Sequence, residues 1–115
     1  MFDVVRATDG TADWHLVGEL DLATAGDLST VILPWLEEQP DGGTVTFEAS
    51  ELTFIDSTGV RTLYALTGPP HEPRIILRNP TEAVRSALAM IGLASDLKDA
   101  RADVAIENLG HWEPI

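Results

Sequence analysis

The residues with the clearest chemical potential are Asp56-Ser57-Thr58-Gly59, set between the apolar stretch Leu52-Thr53-Phe54-Ile55 and the start of a helical pattern at Val60. Such spacing puts Ser57 at a helix N-terminus, where unpaired N–H groups and the macrodipole favour anionic groups. A hydroxyl there can accept a phosphoryl group, adding roughly −1.5 to −2 charge and three acceptor oxygens. Asp56 beside it repels that phosphate, so the new charge acts on an approaching surface more than on the fold. Taken alone, the tetrapeptide reads first as an N-cap and a turn.

Other reactive residues do not assemble in the sequence. His15, His71 and His111 are scattered, with no ligand spacing for a metal. Ser57, His71 and Asp56 hold the residue types of a catalytic triad, but no Gly-x-Ser-x-Gly elbow surrounds the serine. Glu19 and Asp21 form a carboxylate pair without a third catalytic group, and shaping or capping of a loop is the simpler role. Gly42-Gly43 lacks the Lys of a phosphate-binding loop and reads as a turn. No cofactor is expected, and no enzyme.

Bulk properties narrow the class. The 115 residues correspond to one domain, able to bury a core without staples. There is no Cys, so neither a disulfide nor a thiolate metal site is available. Nineteen acids against seven Lys and Arg give a net charge of −12, which opposes direct contact with nucleic acid or anionic membranes and suits a basic protein partner. Apolar runs such as Ala87–Ile91 are too short to cross a bilayer, and residues 1–10 carry no apolar signal core. A cytoplasmic location is the expectation.

The elements that position Ser57 follow from periodicity. Residues 2–7 and 14–20 read as two strands of an antiparallel hairpin around the turn-rich stretch 8–13. Residues 24–38 carry Leu28, Val31, Ile32, Trp35 and Leu36 at helical spacing. Thr24 is the expected N-cap, Asp27 lies in the first turn, and Pro34 predicts a kink or an early stop. Trp14 and Trp35 are expected in the core. Residues 44–49 alternate as a half-buried strand, and a second helix runs from Ser57 or Thr58 to Leu66, burying Val60, Leu63 and Tyr64. The run Arg74–Arg78 predicts a strand covered on both faces. Thr81 caps a third helix bearing Val84, Ala87, Leu88 and Ile91, stopped by Gly92. Residues 95–109 read as helical early, with Val104 and Ile106 as an alternative final strand. The acids Glu37, Glu38, Asp96, Asp99 and Asp103 read as solvated surface, and Trp112 as exposed or covering a core edge.

Three segments in order resemble the STAS domain family, in particular the bacterial anti-sigma factor antagonists. These are Gly18-Glu19-Leu20-Asp21-Leu22-Ala23-Thr24, then Leu52 through Val60, then Asn79-Pro80 with Val84-Arg85 and Ile91-Gly92-Leu93. The resemblance covers about residues 2–95 of a single domain 1–115, leaving 96–115 as a C-terminal extension. It implies an α/β fold: a STAS-like mixed β-sheet of four or five strands, with helices packed mainly on one side.

The resemblance also implies a partner switch. Ser57 matches the family's phosphorylated serine, and Asp56 matches the acid before it. Asp21, Thr24, Asp56, Ser57, Thr58 and Gly59 are the expected partner-binding residues. The implied partner is an anti-sigma factor that is also a serine kinase: the unphosphorylated antagonist binds it and frees the sigma factor, and a serine phosphatase resets the switch. The stretch from Asp56 to Pro80 is about one helical turn shorter than is usual in the family, and Glu48 stands where many members carry Asp. A second reading keeps the fold and makes the chain a non-phosphorylated accessory or scaffold subunit of a transporter or sensory complex. In that case Asp56–Gly59 is only a packed turn and cap.

Overall fold

The computed structural model describes residues 1–90 and 103–106. Five strands, β1 (Phe2–Arg6), β2 (Trp14–Leu20), β3 (Thr44–Ile55), β4 (Arg74–Arg78) and β5 (Val104–Ile106), form one sheet in that spatial order. The outer pairs β1–β2 and β4–β5 are antiparallel, and the inner pairs β2–β3 and β3–β4 are parallel. Parallel neighbours need crossover connections, and α1 (Ala25–Leu36) and α2 (Ser57–Ala65) supply them. Helix α3 (Glu82–Met90) follows β4 and packs on β3.

Burial shows a sheet covered on one face. Leu16 and Leu20 of β2, Val45, Phe47 and Ala49 of β3, Ile75 and Leu77 of β4, and Val104 and Ile106 of β5 are all buried with the helix residues Leu28, Ile32, Val60, Leu63, Val84 and Leu88. Residues between them on the strands are half-buried or exposed. The continuous apolar run of β4 is therefore not covered on both faces. Ile76 sits half-buried on the open face, in register with Thr46 and Ala105.

The expected strand at 44–49 extends to Ile55. Its alternation is lost after Ala49, because pairs of residues rather than single ones separate Ala49, Leu52 and Ile55, which are buried. Two irregularities in the β2–β3 register, between His15 and Val17 and between Gly18 and Glu19, absorb the mismatch. Helix α1 contains Pro34 in its last turn and ends two residues later, the early stop that the proline predicts. Its buried row is Ala25, Leu28, Ile32 and Leu36. Val31 falls on the exposed flank, and Trp35 is half-buried edge-on to Trp14, with ring centroids 5.8 Å apart.

Thr81 accepts from the Val84 N–H at 3.3 Å, as a cap should. Asp103 is not merely solvated surface: it accepts from the Asn79 N–H at 3.3 Å and holds the end of β4 to the start of β5. Asn79 itself adopts φ 52°, a left-handed conformation that Asn tolerates. Val104 and Ile106 do form a final strand, so the segment beyond the family resemblance completes the sheet. The expectations for Ile91, Gly92, Leu93, residues 95–102 and 107–109, His111 and Trp112 lie outside the described residues.

Candidate functional site

Two loops far apart in sequence meet because they follow adjacent parallel strands. β2 ends at Leu20 and β3 at Ile55, and these two residues are register partners. The Asp56 N–H donates to the Leu20 carbonyl at 3.2 Å, joining the loops as they leave the sheet.

Residues 21–24 fold on themselves. Asp21 Oδ1 accepts from the backbone N–H groups of Ala23 at 3.0 Å and Thr24 at 3.2 Å. The Thr24 hydroxyl donates to the Glu19 carbonyl at 2.8 Å and accepts from the Asp21 N–H at 2.9 Å. Thr24 thus occupies the N-cap position of α1 without making a side-chain cap, contrary to expectation. Its backbone lies near the helical region, φ −113° and ψ −11°, and its oxygen is already taken by the preceding turn. The residue closes a loop rather than starting a helix. The Glu19 side chain is ion-paired with the Met1 ammonium at 2.9 Å, while the Asp21 carboxylate faces the N–H groups of its own loop.

Asp56 is the fastener of the site. One carboxylate oxygen, Oδ1, accepts from the Gly59 N–H at 2.8 Å and caps α2. The other, Oδ2, accepts from the Leu22 N–H at 3.1 Å, tying the 21–24 loop to the α2 N-terminus. Both oxygens are spent on the protein's own backbone.

Gly59 is buried, and its role is close approach. A Cβ there would collide with the Leu20 carbonyl oxygen and come within 2.8 Å of Ile55 Cγ1. Only glycine lets α2 sit this close to the end of β2. Thr58 is half-buried, and its carbonyl accepts from the Thr62 hydroxyl at 2.8 Å.

Ser57 differs from all of these. It is the first residue of α2, it is exposed, and among the described residues its hydroxyl has no hydrogen-bond partner. The motif therefore divides into a frame, made of Asp21, Thr24, Asp56 and Gly59, and one open hydroxyl held on it.

The structure adds two residues that periodicity did not single out. Leu22 is 78% exposed and Phe54 48% exposed, and with Asp21, Ala23 and Asp56 they line a shallow groove next to Ser57. In the sequence Phe54 is one member of the apolar stretch Leu52–Ile55 before the motif; the three-residue spacing of the buried Leu52 and Ile55 leaves it on the outward side. The two side chains form a small exposed apolar patch with a polar rim.

The alternative chemistries are not brought together. His71 pairs with Asp41 at 3.1 Å beside Gly42, before the start of β3, whereas Ser57 follows its end. Twelve strand residues separate the two, a distance on the order of 30 Å. Among the described residues no group of three His, Cys, Asp or Glu could hold a metal ion. No helix of the described residues is long and apolar enough to cross a membrane. Glu48 lies outside the site, on the open face of the sheet. Burial raises its carboxyl pKa, but hydrogen bonds from Asn79 at 2.9 Å and the Ser50 N–H at 3.0 Å, with the Arg78 charge, outweigh this and leave it lowered.

This architecture matches known proteins. The solved structure of the anti-sigma factor antagonist SpoIIAA in its unphosphorylated form superposes with a TM-score of 0.52 at 24% identity, covering 81% of this chain and 82% of that one. At that identity the likeness concerns the fold. No curated protein sequence matches the chain. The family model described as Mlab, STAS domain matches residues 4–99, which takes in both loops of the site and the strands that carry them. On that match over most of its length, the chain belongs to the STAS domain family.

Proposed function

We propose that this domain is an anti-sigma factor antagonist whose switch is the Ser57 hydroxyl. The observation that supports this reading is the contrast within one motif: Asp56 and Gly59 are consumed by the fold, while Ser57 stands exposed and unbonded beside Leu22 and Phe54. A cap alone needs Asp56 but no exposed apolar surroundings.

In this proposal the unmodified domain binds an anti-sigma factor that is also a serine kinase, and the sigma factor is released. The kinase then transfers the γ-phosphoryl group of ATP to Ser57. The Oγ–P bond forms, the bond to the departing ADP breaks, and the hydroxyl proton passes to a base on the kinase. The modified surface gains a dianion where Leu22 and Phe54 make contact, and binding ends. A serine phosphatase restores the hydroxyl. The domain contributes no catalytic group of its own.

Incubation with the cognate kinase and ATP should add one phosphate to the wild type and none to Ser57→Ala. Retention of the phosphate by Ser57→Ala would overturn the assignment. Ser57→Asp should bind the kinase at least about 100-fold more weakly than Ser57→Ala, because an uncompensated charge buried at an interface costs several kcal/mol.

A second reading, an accessory or scaffold subunit of a transporter or sensory complex, is favoured by the completeness with which Asp56 and Gly59 explain the motif as turn and cap. Co-purification with such an assembly, with Ser57 unphosphorylated in cells, distinguishes it from the first.

A further inference from the structure

The described residues include five arginines, at positions 6, 61, 74, 78 and 85. Arg6 lies over the rings of Trp14 and Trp35, 5.1 Å from each centroid. Arg78 donates to the Thr11 carbonyl and faces Asp103 at 3.9 Å. Arg85 is buried and, like Arg74, is engaged. Among the described residues Arg61 is the arginine that is exposed with its guanidinium unpartnered.

Its position is informative. Arg61 lies on α2 four residues after Ser57, and residues so spaced share one face of a helix, with Cβ atoms roughly 5–6 Å apart. Cα–Cβ bonds tilt toward the helix N-terminus, so the Arg61 side chain leans back toward Ser57. Asp56, next to Ser57 in the chain, accepts backbone N–H groups at both carboxylate oxygens, and no ion pair joins it to Arg61.

We propose that Arg61 is a positioning residue for the switch: once Ser57 is phosphorylated, its guanidinium clamps the phosphate across one turn of α2. The planar fork of an arginine matches two phosphate oxygens, and the charge-assisted bonds orient the group against the helix. This inference rests on the reading that Ser57 is the modified residue. It adds a consequence for partner recognition. Modification places an anion on the surface and also withdraws the unpaired cation beside it, so an acidic group on the partner loses its counterpart.

The test does not need the kinase. Phosphoserine is installed at position 57 during translation, and its second ionisation is followed by phosphorus NMR in the wild type, Arg61→Gln and Arg61→Lys. The second pKa of phosphoserine is ordinarily about 6. It should lie about 0.2–0.4 unit lower in the wild type than in Arg61→Gln, with Arg61→Lys between them. The gap should shrink in 1 M salt. Asp56, Asp21, Asp27 of α1, Glu82 and Arg85 of α3 and Glu48 and Glu51 of β3 are common to all three proteins, so the difference reports Arg61 alone. Modification should also shift the Arg61 side-chain N–H resonance. Superimposable titrations in the wild type and Arg61→Gln would overturn the clamp. Absence of Ser57 phosphate in cells would instead overturn the switch, leaving the titration result as it stands.

Discussion

Removing the Asp56 carboxylate tests how the site is held. In Asp56→Ala the α2 cap is lost, which costs about 1 kcal/mol, and so is the bond to the Leu22 N–H, worth about another 1 kcal/mol. The expected total is about 2 kcal/mol, a fall in Tm of about 8 °C for a domain of this size. Asp56→Asn is the sharper variant. An amide has one acceptor oxygen and one donor nitrogen, so it cannot accept from both N–H groups as the carboxylate does. Asparagine is itself a good N-cap, so its oxygen should stay with Gly59 and its NH2 should face the Leu22 N–H, donor against donor. The cost is then about 1 kcal/mol. Hydrogen exchange followed by NMR separates the two bonds. Asp56→Asn should deprotect the Leu22 amide and spare Gly59, whereas Asp56→Ala should deprotect both. If Asp56→Ala loses less than about 0.5 kcal/mol, or if Asp56→Asn leaves Leu22 protected, Asp56 does not fasten the loops and the frame described above is wrong.

Gly59→Ala sets a helix-propensity gain of up to about 1 kcal/mol against a clash with the Leu20 backbone carbonyl, which cannot yield as a side-chain tip can. Thermal unfolding should show a net loss of about 1–2 kcal/mol, and an unchanged or raised Tm would contradict the close-approach role. Leu22→Ala and Phe54→Ala, at exposed positions, should leave stability within about 0.5 kcal/mol of wild type. In isothermal titration each should weaken binding of the cognate anti-sigma kinase by at least about tenfold, and undiminished affinity in both would remove the groove from the interface. For Glu48 the folded pKa lies below the unfolded reference of 4.5, so its contribution to stability is present above that pH and is lost as pH falls through the folded value. Urea unfolding between pH 6 and 3 should therefore show a shallower acid loss for Glu48→Gln than for wild type, and parallel curves would exclude the contribution.

How much of this was legible in the sequence depends on the range of the interaction responsible. Local patterns carry helix and strand type. The i, i+4 row of Leu28, Ile32 and Leu36 predicts α1, Pro34 predicts its early end, and the alternation around Phe47 predicts a half-buried strand. The Asp-Ser-Thr-Gly run predicts a helix start after β3 with Asp56 as the group before it, and the three ordered segments predict the family. These are consequences of backbone geometry within a turn or a strand, which neighbouring residues impose on one another.

The tertiary structure decided what depends on residues brought from elsewhere. The join between residues 20–24 and 55–59 exists only because β2 and β3 lie side by side in parallel, and that join turns Asp56 from a plain cap into a two-sided fastener. Thr24 has the residue type of a helix cap, yet the Glu19 carbonyl and Asp21 take its hydroxyl first. The continuous apolar run of β4 does not say how many faces are covered; the placement of all the described helices on one face does. Phe54 points outward because the β2–β3 register slips, and a slip is a property of two strands, not of one. Exposure of Ser57 follows the same logic: a side chain is free only when everything folded around it is directed elsewhere, and that is a sum over contacts that no local window of sequence contains.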